Sequence, residues 1–156
     1  MSRSEVIIEE LTAYSQADAA DLGRLMVHLT DRASGDPVQE DLLQRMIDSP
    51  EHGLLVARFS EGERRFVGAA ALSVVMGPMA GREGYLQDFV TDPDVRGQGI
   101  GNELWRGMLD WCRAREVSSL MFTSRSSREA AHRFYLSRGA EIRDTTPFRV
   151  PIGEAD

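Results

Sequence analysis

The stretch from Tyr85 to Gly101, YLQDFVTDPDVRGQGIG, decides how the rest of the chain is interpreted. Apolar and aromatic residues up to Val90 favour a β-strand, and the Asp92-Pro93 pair ends it. From Ile100 onward, apolar residues recur at every fourth position, which is typical of one face of a helix: Leu104, Met108 and Cys112. The stretch is therefore predicted to form a strand, a glycine-rich loop and a helix, as in an α/β protein.

The loop in this stretch precedes a helix, and the N-terminus of a helix is a natural anion site. The first amides of a helix have no partner within it and carry the positive end of the helix dipole. A pyrophosphate placed there accepts hydrogen bonds from the backbone, and glycine lets it approach closely. The residues predicted to surround such a group are Arg96, Gly97, Gln98, Gly99, Ile100 and Gly101.

Two common phosphate-binding loops are excluded by residues that this chain lacks. It contains no lysine, so the GxxxxGK[ST] loop of nucleotide hydrolases is absent. The dinucleotide fingerprint GxGxxG also fails, because Asn102 or Leu104 stands where its third glycine is required. The pattern that remains is Arg96-x-x-Gly99-x-Gly101.

A second motif lies downstream of the loop. After a short apolar strand, Ser119–Thr123, a helical segment carries Ala131-x-x-Phe134-Tyr135 and ends at Gly139, where a left-handed residue is common. Together the two motifs resemble the signature of the GNAT superfamily of N-acetyltransferases, most strongly from Leu86 to Ala140. The resemblance implies an α/β (α+β) fold with a mixed central sheet of about seven strands, flanked by four helices, whose central strands splay apart.

The resemblance also implies that acetyl-CoA is the acyl donor, and it gives roles to several residues. Backbone groups of Asp88, Phe89 and Val90 would pair with the pantetheine arm like an added strand, and residues 96–101 would hold the pyrophosphate. Tyr135 would protonate the departing thiolate. Arg128 stands where some members of the family carry an asparagine that contacts CoA. Arg125, Arg128 and Arg133 either form a solvated face or meet the CoA phosphates, and Arg128 is the best candidate of the three because it lies close to the N-terminus of the last helix. These positions form the candidate catalytic and cofactor-binding site.

The general base is the least defined part of this site. Thr123 occupies the position at which some members of the family carry a glutamate, and threonine cannot abstract a proton. The nearest acids in sequence are Asp88 and Glu83, of which Asp88 is the candidate base. Simple strand alternation predicts that Asp88 shares one face of its strand with Leu86 and Val90.

The rest of the chain reads as alternating helices and strands without linkers or repeats. The predicted strands are Val6–Leu11, Gly53–Phe59 and Phe66–Met76, and the predicted helices are Ala17–Ala33 and a second one with Asp36 as N-cap and Pro37 at N1 that stops before Pro50. At 156 residues, the chain is expected to be one domain, 1–156.

The amino-acid composition limits the classes of partner and substrate that this chain is expected to bind. A formal net charge of −7 disfavours nucleic acid and anionic membranes and favours cationic substrates such as amines. The single cysteine rules out a disulfide within the chain, and no cluster at ligand spacing predicts a metal site. The absence of a membrane-length apolar run and of a signal-peptide core predicts a cytoplasmic protein.

An apolar, proline-flanked segment, Thr146–Pro151, is predicted to be an edge strand covered in a homodimer.

Three functions stay open at this point. The first is an acetyl-CoA-dependent N-acetyltransferase in which a primary amine of a small molecule attacks the thioester directly. The second is a protein or peptide N-acetyltransferase, for which an open acidic groove would be suited. The third is a non-catalytic sensor of acyl-CoA, which the threonine at position 123 keeps open.

Overall fold

The computed structural model describes residues 4–153, which fall into two compact units that divide between Phe122 and Thr123. Within these described residues, the first unit contains a β-sheet and three α-helices, and the second contains one α-helix. The helices are α1 (Gln16–Met26), α2 (Glu40–Asp48), α3 (Ile100–Ala114) and α4 (Glu129–Ser137). The strands are β1 (Val6–Glu10), β2 (His52–Phe59), β3 (Gly68–Gly77), β4 (Gly81–Thr91) and β5 (Leu120–Met121). Between residues 4 and 153, no helix has the length and apolar composition needed to cross a membrane.

The sheet is mixed, as the family resemblance implies. The strands lie in the order β1-β2-β3-β4-β5; the first four are antiparallel neighbours, and β5 runs parallel to β4. β5 pairs with β4 only at Gly84 and Tyr85, although β4 continues to Thr91. The ladder between the two strands therefore ends well before β4 does, which agrees with the expected splaying of the central strands.

The number of strands differs from the expected value of about seven. In the part of the chain that the structure describes, the sheet has five strands, and no strand follows α4. The predicted edge strand at Thr146–Pro151 is therefore wrong for this structure. Pro147 and Pro151 have no backbone N–H to donate to a ladder, which weakens strand pairing there.

Helices cover both faces of the sheet. On one face, α1 and α2 bury Leu22, Leu25 and Leu43 against apolar residues of β2, β3 and β4. On the other face lies α3, whose Leu104 and Met108 are fully buried. Both faces of β2 are buried, which explains its nearly continuous apolar sequence.

The second helix begins later than predicted. Its first residue is Glu40 with Gln39 as N-cap, and α1 ends at Met26 rather than Ala33. The segment before α2 lies against α1 instead: the amide of Val38 donates to the carbonyl of Ala19 (3.0 Å). A Cβ at Gly23 would lie 2.0 Å from the carbonyl oxygen of Asp36, so only glycine permits this approach. This tertiary contact outweighs the local capping preference of Asp36-Pro37.

Candidate active site

A β-bulge in β4 sets the direction of the candidate base. Ala71 of β3 pairs with Asp88, whereas the next residue, Leu72, pairs with Leu86, so Gln87 is the extra residue. An extra residue reverses the alternation of side chains along the strand. The prediction that Asp88 shares a face with Leu86 is therefore wrong. The prediction that it shares a face with Val90 is confirmed, because their partners on β3, Ala71 and Ala69, are two residues apart.

The bulge places Asp88 on the face of the sheet that α1 and α2 cover, because Ala71 belongs to that core. Burial raises the pKa of the Asp88 carboxyl above that of an ordinary aspartate. Among residues 4–153, its carboxylate makes no hydrogen bond or ion pair. Such a group can accept a proton more readily than a typical surface aspartate. Glu83, the other acid considered, accepts a hydrogen bond from the Ser119 hydroxyl (3.4 Å).

The loop after β4 has the geometry of an anion site. Gly97 and Gly99 have φ angles of +76° and +83°, which glycine adopts without strain. A Cβ at either position would meet no atom within 4 Å, so the space in front of the loop is open. Gly99 is the N-cap of α3, and the first helical hydrogen bond runs from the amide of Glu103 to its carbonyl (3.1 Å). The amides of the first turn therefore have no partner within the helix.

A buried carboxylate anchors the start of this loop. Asp92, which is 1% exposed, accepts hydrogen bonds from the amide of Asp94 (3.0 Å), from Arg24 Nη1 (3.2 Å) and from Arg65 Nη2 (3.1 Å). Burial acts to raise the pKa of Asp92, but these hydrogen bonds and charges together lower it, so the carboxylate is ionised. In the sequence, Asp92 indicates only the end of a strand.

The second unit carries the other two candidate residues on one helix. Arg128 is the N-cap of α4, and Tyr135 lies in its last turn. Burial raises the pKa of the Tyr135 phenol and the charge of Arg128 opposes this rise, so the phenol is protonated at neutral pH. Gly139, with a φ angle of +89°, ends the helix, as the sequence predicts, and the amide of Ala140 donates to the carbonyl of Tyr135 (3.1 Å).

Two further polar groups in the second unit were not singled out as site residues from the sequence. Ser124 Oγ and His132 Nε2 are buried, and neither has a hydrogen-bond partner among the described residues. Buried polar atoms without a partner are uncommon, and the burial of Ser124 before α4 and of His132 within it could not be predicted from residue type alone. Within residues 4–153, no group of three or more histidine, cysteine or acidic residues could hold a metal ion.

Solved structures share the fold of this chain. An aminoglycoside acetyltransferase from an uncultured soil metagenomic sample, in complex with trehalose, is 19% identical, with a TM-score of 0.79 over 94% of this chain and 97% of that chain. An acetyltransferase from Trypanosoma brucei is 20% identical, with a TM-score of 0.72 over 95% and 100%. A ribosomal-protein-alanine N-acetyltransferase from Brucella melitensis biovar Abortus is 20% identical, with a TM-score of 0.70 over 95% and 99%.

The sequence itself also matches a protein family. No curated protein matches the chain. The model of the acetyltransferase (GNAT) family matches residues 23–140, which include β4, the glycine loop and α4. That match spans most of the chain, and its limits contain both motifs from which the resemblance was drawn. The chain therefore belongs to the GNAT family of acetyltransferases.

Proposed function

We propose that residues 1–156 act as one acetyl-CoA-dependent N-acetyltransferase domain that acetylates a primary amine of a small molecule. The observation that most supports acetyl-CoA as the acyl donor is the open loop at the N-terminus of α3, in which two glycines have left-handed backbone conformations. The first amides of α3 have no partner within the helix and can donate to a diphosphate, and CoA carries a diphosphate. The family match, which spans parts of both units, supports acetyl transfer.

The donor would lie along β4 and its loop. The ladder between β4 and β5 stops at Tyr85, and we propose that the backbone of Asp88, Phe89 and Val90 pairs there with the amides of the pantetheine arm. Residues 96–101 would hold the diphosphate, and Arg128 would contact the CoA phosphates as a cation at the start of α4. A backbone amide of β4 would polarise the thioester carbonyl.

In the proposed reaction, the lone pair of the amine forms a bond to the thioester carbon, and the carbon–sulfur bond then breaks. The attacking nitrogen loses a proton, which we assign to Asp88 directly or through water. The leaving thiolate gains a proton, which we assign to Tyr135. The raised pKa of each group suits its role, because Asp88 gains basicity and the Tyr135 phenol keeps its proton until the thiolate forms.

The acceptor is proposed from charge and from the neighbouring structures. A net charge of −7 favours a cationic amine. The aminoglycoside acetyltransferase has also been solved in complex with sisomicin, at 18% identity and a TM-score of 0.79 over 94% of this chain and 97% of that chain. A second candidate, acetylation of a protein N-terminus, is favoured by the neighbour named a ribosomal-protein-alanine N-acetyltransferase.

A panel of acceptors separates these functions. Wild-type protein and acetyl-CoA would be incubated with small primary amines, with peptides that have a free N-terminus and with N-terminally blocked peptides, and the release of free thiol would be followed. We expect release with small amines. Release with peptides alone would favour the second candidate. Binding of acetyl-CoA without release for any acceptor would favour a sensor.

The pH dependence of turnover tests the role of Asp88. With Asp88 as base, kcat/KM rises with pH as its carboxyl ionises, and burial moves this rise above the ordinary aspartate pKa of about 3.9. In Asp88→Asn, we expect this rise of kcat/KM with pH, the acid limb of the profile, to disappear. The rate should fall by a factor of about 10² to 10⁴, the range for general base catalysis. The ionisation of the amine substrate affects the pH profiles of the wild type and of Asp88→Asn equally. The difference between the two profiles therefore reports the ionisation of Asp88.

The folding stability of Asp88→Asn shows whether a loss of activity comes from unfolding. A carboxyl whose pKa is raised in the folded state stabilises the fold below its unfolded pKa, and this contribution is lost as pH rises through the folded pKa. Asp88→Asn is therefore expected to be at least as stable as the wild type at pH 7. The exposed Asp110→Asn should keep the wild-type profile. An unchanged acid limb in Asp88→Asn would exclude Asp88 as the base.

We also propose that the protein forms a homodimer. Four large apolar side chains of the C-terminal segment are 77–92% exposed, which is typical of surfaces that a second chain covers: Ile142, Phe148, Val150 and Ile152. Light scattering at micromolar concentration should give the mass of two chains, and Phe148→Ser should shift it toward one. A wild-type mass equal to that of a single chain would contradict this proposal.

A further inference from the structure

The buried carboxylate of Asp92 connects three parts of the first unit. Arg24 lies on α1, Arg65 lies in the connection between β2 and β3, and both guanidinium groups contact the same oxygen, Oδ2. The other oxygen, Oδ1, accepts from the amide of Asp94 in the 3-10 turn at Pro93–Val95. One side chain thus joins a helix, a strand connection and the start of the glycine loop.

Further hydrogen bonds hold the two arginines and the backbone of Asp92 in place. Arg24 donates to the carbonyl of Phe66 (2.6 Å) and to Asp21 Oδ1 (2.8 Å), and Asp21 also accepts from the amide of Phe66. The amide of Asp92 donates to the carbonyl of Val67 (2.8 Å). The loop therefore leaves the sheet from a point that is fixed through both the main chain and the side chain of Asp92.

The Asp92 carboxylate lies directly before the 96–101 loop along the chain. The carboxylate caps the 3-10 turn that directly precedes Arg96, the first residue of the 96–101 loop. The loop itself has two glycines with positive φ angles, and Gly99 provides no side-chain cap for α3. Such a loop has little rigidity of its own, and its amides must converge on one anion to bind it tightly.

We propose that Asp92, held by Arg24 and Arg65, is a positioning residue that presets the 96–101 loop for the diphosphate of the acyl donor. This inference rests on the proposed function, since it concerns the same donor. The Asp92 carboxylate is buried, so it would act through the turn and the loop rather than by contact with the donor. A neutral asparagine has one acceptor oxygen where the carboxylate has two, so it cannot accept at the same time from the amide of Asp94 and from Arg24 and Arg65. Either the turn would lose its cap, or the two guanidinium groups would lose their acceptor.

A positioning role predicts a defect that depends on the diphosphate. Acetylated pantetheine carries the same thioester as acetyl-CoA but has no diphosphate. A variant with a displaced loop should bind and use acetyl-CoA poorly, yet it should use acetylated pantetheine as well as the wild type does. A variant damaged throughout the active site should lose activity with both donors.

The experiment compares Asp92→Asn with Asp110→Asn, the same change at an exposed ion pair of α3. In Asp92→Asn, we expect the Kd for acetyl-CoA, measured by calorimetry, to rise about 10- to 100-fold, the effect of losing a supporting group around a site. kcat/KM should fall to a similar extent with acetyl-CoA and stay unchanged with acetylated pantetheine. Asp110→Asn should match the wild type with both donors.

With a folded Asp92→Asn variant, two results would overturn the inference. One is wild-type affinity for acetyl-CoA, and the other is an equal loss with both donors. If Asp92→Asn does not fold, Arg65→Gln removes one of the two cations and should raise the Kd by about 3- to 10-fold; an unchanged Kd there would overturn the inference. A wild-type protein that binds no acetyl-CoA would instead contradict the proposed function, and this inference with it.

Discussion

Replacing Gly99 by valine is expected to weaken acetyl-CoA binding by about 100-fold or more while the protein stays folded. Gly99, the N-cap of α3, has a φ angle of +83°, and a Cβ there would meet no atom within 4 Å. In the free protein the substitution costs only the backbone strain, about 1–3 kcal/mol. In the complex, the side chain would occupy the position of the diphosphate. Calorimetry with acetyl-CoA and circular dichroism would measure both effects.

The chain offers a matched control for this variant. Gly62, in the connection between β2 and β3, has a φ angle of +94°, and a Cβ there also meets no atom within 4 Å. Gly62→Val therefore introduces the same kind of strain outside the 96–101 loop and should bind acetyl-CoA like the wild type. Unchanged affinity in a folded Gly99→Val variant would contradict the assignment of this loop to the diphosphate.

Replacing Tyr135 by phenylalanine is expected to lower kcat by about 10² to 10⁴, the range for general acid catalysis, with the Kd for acetyl-CoA unchanged. The substitution removes the proton donor and keeps the ring that packs edge-to-face on Phe134, at a centroid distance of 5.9 Å. Since burial raises the pKa of this phenol, the wild type should keep its activity on the alkaline side until the tyrosine ionises. In the phenylalanine variant, that alkaline limb should be absent.

Tyr14→Phe makes the same change at a partly buried tyrosine that precedes α1 and packs against the core of the first unit, and it should leave kcat unaltered. If Tyr135→Phe turns over at the wild-type rate on a confirmed amine, solvent protonates the thiolate and Tyr135 has only a packing role. A sensor would differ from both cases, because the wild type itself would release no thiol in response to an amine.

The features that sequence predicted well depend on local rules. The glycine-rich loop predicted at the N-terminus of α3 and the glycine predicted at the end of α4 lie there, and the four-residue recurrence of apolar side chains located α3 from its first residue, Ile100. A glycine at a positive φ angle and an amphipathic helix are each determined by a few neighbouring residues. The order of the first nine strands and helices followed from these local signals together with the family resemblance.

The features that sequence missed depend on contacts between distant residues. Asp36-Pro37 has the capping chemistry of a helix start, but its contact with Gly23 of α1 decides its conformation. The bulge at Gln87 changes the face of Asp88, and nothing in the local sequence requires it. The partners of Asp92 lie 68 and 27 residues away along the chain, so its role as an anchor became apparent only in the folded structure.

The most direct test of the proposed function measures two products in one reaction. Wild-type protein, acetyl-CoA and an accepted small amine would be combined, with free thiol measured by absorbance and the acetylated amine by mass spectrometry. We predict that the two products appear in equal amounts, that neither forms without the amine, and that both are lost in Gly99→Val. Thiol release that does not depend on the amine, or acetyl-CoA binding without an acetylated product for any amine or peptide tested, would contradict the proposal that this chain transfers acetyl groups to a primary amine.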